Sequence, residues 1–269
     1  MKTIIFTDMD GTLLNHHDYS FESAIPVLEQ IKKESYPLIL TTSKTRAEVL
    51  IWQQKLGIND PFIPENGAAI FFPNNYKGFN LDAYPLLDGF RVVSLGKPYP
   101  FVTTYLATIL DKYEITGFAQ MTPQELMEIT GLTYEEALLS KKRDFSEPFL
   151  MKDDTLLPIL QEEAKLYGLK ITQGGRFYHC IGIGQDKGMA VRTTLAIFRR
   201  NGYDAKSIAL GDGQNDEAML QVVDTPIQLP SAEGSYVPMD IPHLIRSPHA
   251  GSKGWAMSLK ECLSYVYPH

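Results

Sequence analysis

The sequence predicts an α/β fold: a doubly wound, mostly parallel sheet interrupted by an inserted α+β domain. Three observations carry that expectation. Strand-like and helix-like segments alternate over residues 1–82 and again over residues 185–269. Two of the apolar runs end in acids and glycines rather than in ordinary turn residues. Between them, residues 83–184 turn to aromatics, prolines and polar residues, the texture of a separate module.

Residues 4–7 are β-branched and aromatic, as in a buried strand. Over residues 21–33, Ala24, Val27, Leu28 and Ile31 recur at the spacing of an amphipathic helix. Residues 37–40 form a second strand, ending in Thr41-Thr42-Ser43-Lys44-Thr45, and residues 46–56 a helix closed by Gly57. Residues 65–67 read as a turn between two strands. In the insertion, residues 101–113, 123–131, 133–139 and 156–167 read as helices, and residues 91–95, 149–151, 170–173 and 177–183 as strands. Alternation then resumes: a helix over 187–198, a strand over 207–211, a short helix through residue 222, outer strands at 227–229 and 244–245, and a closing helix over 255–266.

The chain has 269 residues and a net charge of −7, with 44% hydrophobic residues, enough for one large or two modest domains. An acidic balance argues against nucleic-acid binding, which needs a basic footprint. No apolar run approaches the roughly 20 residues needed to cross a bilayer. Two cysteines in unrelated contexts and no secretory leader fit a reducing cytoplasm.

The chemistry concentrates at strand tips. Alternation along a strand puts Asp8 and Asp10 on one side with Met9 turned away, and Gly11 permits a sharp turn. Ligands bind at this edge in open α/β sheets. A single acid there is often only a turn former. Here Asp212, between glycines at the end of a second buried run, and Asp216, at a helix start, add two more. Four carboxylates from two strand tips make a hard oxygen site suited to Mg²⁺. Thr42 offers a hydroxyl to a phosphoryl oxygen, with Thr41 and Ser43 as competitors for that role. Lys187, at a helix start, offers a compact cation to phosphoryl oxygens or to a carboxylate nucleophile.

Together these features resemble the haloacid dehalogenase superfamily of phosphohydrolases. The resemblance rests on Asp8-Met9-Asp10-Gly11-Thr12, Thr42, Lys187 and Gly211-Asp212-Gly213-Gln214-Asn215-Asp216, in that order along the whole core. It implies a Rossmann-like core with the insertion as a substrate-selecting cap. It also implies Asp8 as the nucleophile that forms an aspartyl-phosphate, and Asp10 as the acid that protonates the leaving oxygen and then deprotonates water. Mg²⁺ is then held by Asp8, the Asp10 carbonyl and Asp212, with Asn215 and Asp216 in or near its shell.

Thr42-Ser43-Lys44-Thr45, Pro64-Glu65-Asn66-Gly67-Ala68, the stretch from Arg143 to Phe149 and Gly174-Gly175-Arg176-Phe177-Tyr178-His179 resemble, more narrowly, the branch acting on 2-O-mannosyl-3-phosphoglycerate. That resemblance implies a small phosphorylated sugar substrate. Arg143 and Arg176 would then be forks for its anionic groups, and Lys44 would hold the glycerate end. Glu65, Asn66, Glu147 and His179 would bond hydroxyls, and Ser247 would lie in a glycine-rich segment beside the site. Against this stand plainer readings: arginines in structural ion pairs, His179 in the interior, and Ser247 in an ordinary helix start. Rival functions are hydrolysis of glucosyl-3-phosphoglycerate, sucrose phosphate or a hexose phosphate, a phosphomutase, and a non-catalytic sugar-phosphate binding module.

Overall fold

The computed structural model describes residues 2–174 and 176–265. Five parallel strands form the main sheet, in the order Ile245–Arg246, Thr225–Gln228, Lys206–Gly211, Thr3–Thr7, Leu38–Leu40. Successive residues of these strands go to opposite faces. Ile5, Leu38, Leu40, Ile208 and Leu210 pack on one face with Val27, Leu28, Trp52 and Trp255. Ile4, Phe6, Ile39 and Ala209 pack on the other with Val191, Leu195, Phe198 and Leu220. Helices therefore cover both faces, the doubly wound arrangement that the apolar runs predict. Thr7 pairs with Leu210, and Asp8 N donates to Leu210 O at 2.9 Å, so both acid-bearing strands leave the sheet at the same level.

A second, antiparallel sheet joins Ala69–Pro73 to Phe90–Ser94 and Leu86–Leu87. Its Phe71 and Val92 join the first apolar cluster and Ile70, Phe72 and Val93 the second. Leu86–Leu87 and Phe90–Ser94 thus pack with the main body, although they fall beyond position 82, where sequence texture puts the boundary. The rest of the insertion has its own four-stranded antiparallel sheet, in the order Ile115–Gly117, Glu147–Met151, Phe177–Gly182, Leu169–Gly174. Helices Tyr99–Ala107 and Leu157–Lys165 bury Val102, Leu106 and Leu160 against Phe149, Ile171 and Cys180. Helices Pro123–Thr130 and Tyr134–Ser140 each start with a capping box, Thr122 with Glu125 and Thr133 with Glu136.

Most expected elements recur within two or three residues. The helix expected over 101–113 stops at Ala107, where the Thr108 hydroxyl bonds back to Tyr105 O at 2.6 Å and Glu114 takes a left-handed φ of +46°. The helix expected from residue 21 opens as a 3₁₀ turn, Glu22–Ala24, and becomes α-helical over Ile25–Lys33, with proline in its first turn. The closing helix starts at Gly251 and is described to Tyr265. Its expected end, Val266, lies outside the described residues, as does Gly175. Among the described residues no helix is long and apolar enough to cross a membrane.

Candidate active site

Asp8 follows the first strand directly and is 7% exposed. Lys187 opens helix Lys187–Arg200, whose N-cap Asp186 accepts from Met189 N. The Lys187 ammonium is buried between two carboxylates, 2.6 Å from Asp8 Oδ1 and 2.6 Å from Asp216 Oδ1. Asp216 Oδ2 accepts from Asp212 N at 3.1 Å and Gly213 N at 3.0 Å, which folds the loop after Lys206–Gly211 back on itself. Asp212 Oδ1 accepts from the Thr12 hydroxyl at 2.8 Å. Gly11 sits at φ +77°, where a Cβ would lie 2.5 Å from Asp212 Oδ2, so only glycine lets the two tips approach this closely.

Asp8, Asp212 and Asp216 each offer an oxygen within 4.8 Å of the others. Burial, with repulsion from the neighbouring carboxylates, pushes Asp8 well above the usual carboxylate range despite Lys187. Burial and Asp216 push Asp212 up to about 7. Three carboxylates crowd together with one ammonium, which pairs with Asp8 and Asp216, and the donors are hard oxygens. This set fits a small divalent cation and would lose its strain by binding one.

Asp10 lies outside that cluster. Its Oδ2 pairs with Lys44 Nζ at 2.9 Å. Thr42 is buried at the end of the second strand, where its hydroxyl oxygen accepts from Lys44 N and its carbonyl from Asn66 N. Its competitor Thr41 turns its hydroxyl to Ile39 O, back into the strand. Asn215 donates to Asn66 Oδ1 at 3.1 Å, which ties two expected site residues to each other.

A cavity of about 270 Å³ separates the main body from the inserted domain. Asp10, Tyr19 and Lys44 line it from below; Arg143, Arg176 and His179 line it from the insertion. Arg176 is exposed and donates to Ile129 O.

Three of the expected substrate contacts have their polar atoms on other partners in the structure, and a fourth lines the cavity with its guanidinium shared. Glu65 is wholly buried and accepts from Asp144 N, Phe145 N, Ser146 N and the Ser146 hydroxyl at 2.6–3.2 Å, with Arg143 Nε 3.4 Å away. It is a strut between the domains and has no oxygen turned to the cavity. Glu147 is buried within the insertion, accepting from Tyr99 OH at 2.9 Å and Ala119 N at 2.6 Å. Ser247 is buried in the loop after Ile245–Arg246, its hydroxyl donating to His249 O. Arg143 lines the cavity but spends its guanidinium on Ser43 O, Ser140 O and Ser146 Oγ.

Sequence reasoning missed three positioning residues. Thr12 orients Asp212, and its place in the acid motif was the available signal. Gln185 donates to Glu65 O at 2.6 Å and accepts from Gly182 N. Trp255 donates to Thr7 Oγ1 at 3.0 Å, and that hydroxyl donates to Asp8 O at 2.7 Å. Nothing local marks the last two.

Residues 5–235 match the family model of haloacid dehalogenase-like hydrolases. The chain is 46% identical over 264 residues to the glucosyl-3-phosphoglycerate/mannosyl-3-phosphoglycerate phosphatase of Persephonella marina, covering 98% of each chain. It is 37% identical over 269 residues to the protein of the same name from Methanococcoides burtonii, again covering 98% of each. Among solved structures, that of Thermoplasma acidophilum 0175 superposes with a TM-score of 0.69 at 16% identity, covering 97% of this chain and 98% of that one. At that identity it shows a shared fold.

Proposed function

The chain belongs to the haloacid dehalogenase-like hydrolases and is a phosphoric monoester hydrolase, and we propose that it hydrolyses glycosyl-3-phosphoglycerates, 2-O-mannosyl-3-phosphoglycerate first among them. The glucosyl compound is included because both relatives described above carry both names. The observation that carries the chemistry is the Lys187 ammonium, held between Asp8 and Asp216 with Asp212 alongside.

In this reading Asp8 attacks phosphorus, the P–O ester bond breaks, and the leaving oxygen takes its proton from Asp10. Asp10 then removes a proton from the water that attacks the aspartyl-phosphate, which releases phosphate and regenerates Asp8. Lys187 aims the Asp8 carboxylate and screens its charge. Thr42 has its hydroxyl proton to donate to a phosphoryl oxygen. Asp8, Asp212 and Asp216, together with the Asp10 carbonyl and Asn215, would hold Mg²⁺, which when bound offsets the repulsion between an anionic nucleophile and an anionic phosphate. The inserted domain selects the substrate through the cavity wall that carries Arg143, Arg176 and His179. Both cysteines are free, which suits a cytoplasmic enzyme.

A phosphate-release panel tests the substrate. The two glycosyl-3-phosphoglycerates should exceed hexose phosphates and sucrose phosphate in kcat/KM by at least about 100-fold, on the order of 2.7 kcal/mol of transition-state discrimination. EDTA should abolish release until Mg²⁺ is restored. Comparable rates across the panel would defeat the substrate assignment.

A further inference from the structure

The Lys44 ammonium does not stand free in the cavity to await an anion. It is held 2.9 Å from Asp10 Oδ2, with a tenth of its side chain exposed. The Tyr19 ring lies 5.2 Å from it. Tyr19 reaches that place from a left-handed backbone, φ +53°, which a bulky residue adopts only where its surroundings impose it. The nearby carboxylate of Glu48 is committed to the capping box of helix Arg46–Leu56, accepting from Thr45 N at 2.8 Å.

Asp10 Oδ1 is buried with no partner among the described residues. The carboxylate therefore meets the cavity through Oδ2, the oxygen that Lys44 covers. The acid needed at the leaving oxygen is clamped by a cation until something else takes that cation. Arg143 and Arg176 are already committed to backbone carbonyls and to Ser146.

We infer that Lys44 is a specificity-determining clamp on Asp10 that transfers to a carboxylate on the substrate's leaving group, so that phosphate esters bearing a carboxylate beside the ester free Asp10 and those lacking one do not. The inference rests on the glycosyl-3-phosphoglycerate reading, in which two carbons separate the carboxylate from the ester oxygen. The exchange keeps the Lys44 ammonium paired with a carboxylate, and Asp10, uncovered, takes from water the proton that it hands to the leaving oxygen. Carboxylate recognition then acts on turnover and not only on binding.

The test compares mannosyl-3-phosphoglycerate with its analogue in which the carboxylate is reduced to hydroxymethyl. In the wild type the acid should exceed the alcohol by about 30- to 100-fold in kcat, the worth of a charge-assisted contact, with a smaller gap in KM. In Lys44→Met that kcat ratio should fall to within about threefold, while Lys44→Arg should keep most of it. A wild-type gap confined to KM, or one that survives in Lys44→Met, overturns the clamp. Crystals of Asp8→Asn protein with bound mannosyl-3-phosphoglycerate give an independent readout. Lys44 on the substrate carboxylate and off Asp10 supports the transfer; Lys44 still on Asp10 overturns it. If hexose phosphates outrun both glycosyl compounds in the wild type, the substrate reading fails instead. The pair 3-phosphoglycerate and glycerol 3-phosphate then puts the same question to Lys44.

Discussion

The carboxylate tip of the parallel sheet and the junction below the inserted domain are both rich in buried charge, yet they balance it in opposite ways. At the tip, Asp8, Asp212 and Asp216 crowd around a single ammonium, and burial with mutual repulsion raises the first two. At the junction, Glu65 has a donor for each of its oxygens and a guanidinium beside it. The difference teaches how to separate binding groups from struts. A buried acid whose lone pairs are all spent holds the fold, whereas acids that repel one another with too few cations are arranged for something not yet there.

The largest effect should come from the crowded side. Asp8→Asn should lower phosphate release by at least about 10⁴-fold. It also removes one charge from a repelling group, so its thermal midpoint should equal or exceed that of the wild type. Near-normal turnover would defeat covalent catalysis, and a collapsed midpoint would mean that Asp8 is itself a strut.

Next comes the satisfied side. Glu65→Ala strips three backbone amides and Arg143 of their partner, and should cost about 3–5 kcal/mol in urea denaturation, as expected when one member of a buried ion pair is removed. A cost below about 1 kcal/mol would show that the junction does not depend on this strut.

The smallest effect sharpens the comparison within the insertion. Burial raises the Glu147 carboxyl despite the hydrogen bonds from Ala119 N and Tyr99. A carboxyl raised on folding binds its proton more tightly in the folded state. Its contribution to stability is therefore fully present below the ordinary value of 4.5 and is lost as pH rises through the folded value. The stability of wild type relative to Glu147→Gln should decline as pH rises from about 4 toward neutrality. A difference that is flat with pH would show Glu147 to be as easily ionised as a surface glutamate.

Much of this protein was legible in one dimension. The runs at residues 4–7 and 207–211 had to be buried strands, because β-branched and apolar residues without interruption suit a sheet covered on both faces. The acids and glycines at their ends had to share an edge, because parallel strands put all their C-terminal tips on one side. The insertion's helices were also legible as segments, and in the structure two of them start on local hydrogen-bond patterns, Thr122 with Glu125 and Thr133 with Glu136.

Partnership across distant segments was decided only by the tertiary structure. Glu65 and Arg143 look like sugar and phosphate ligands in sequence, and packing turned the first toward amides 79–81 residues away and the second toward Ser43 O, 100 residues away. The same holds for Lys44, whose type predicts an anion but not that the anion is Asp10. Residue type sets what a side chain can bond and local spacing sets the element that carries it. Which donor meets which acceptor is settled by how those elements pack, because a buried polar group must take the partner that packing brings within reach.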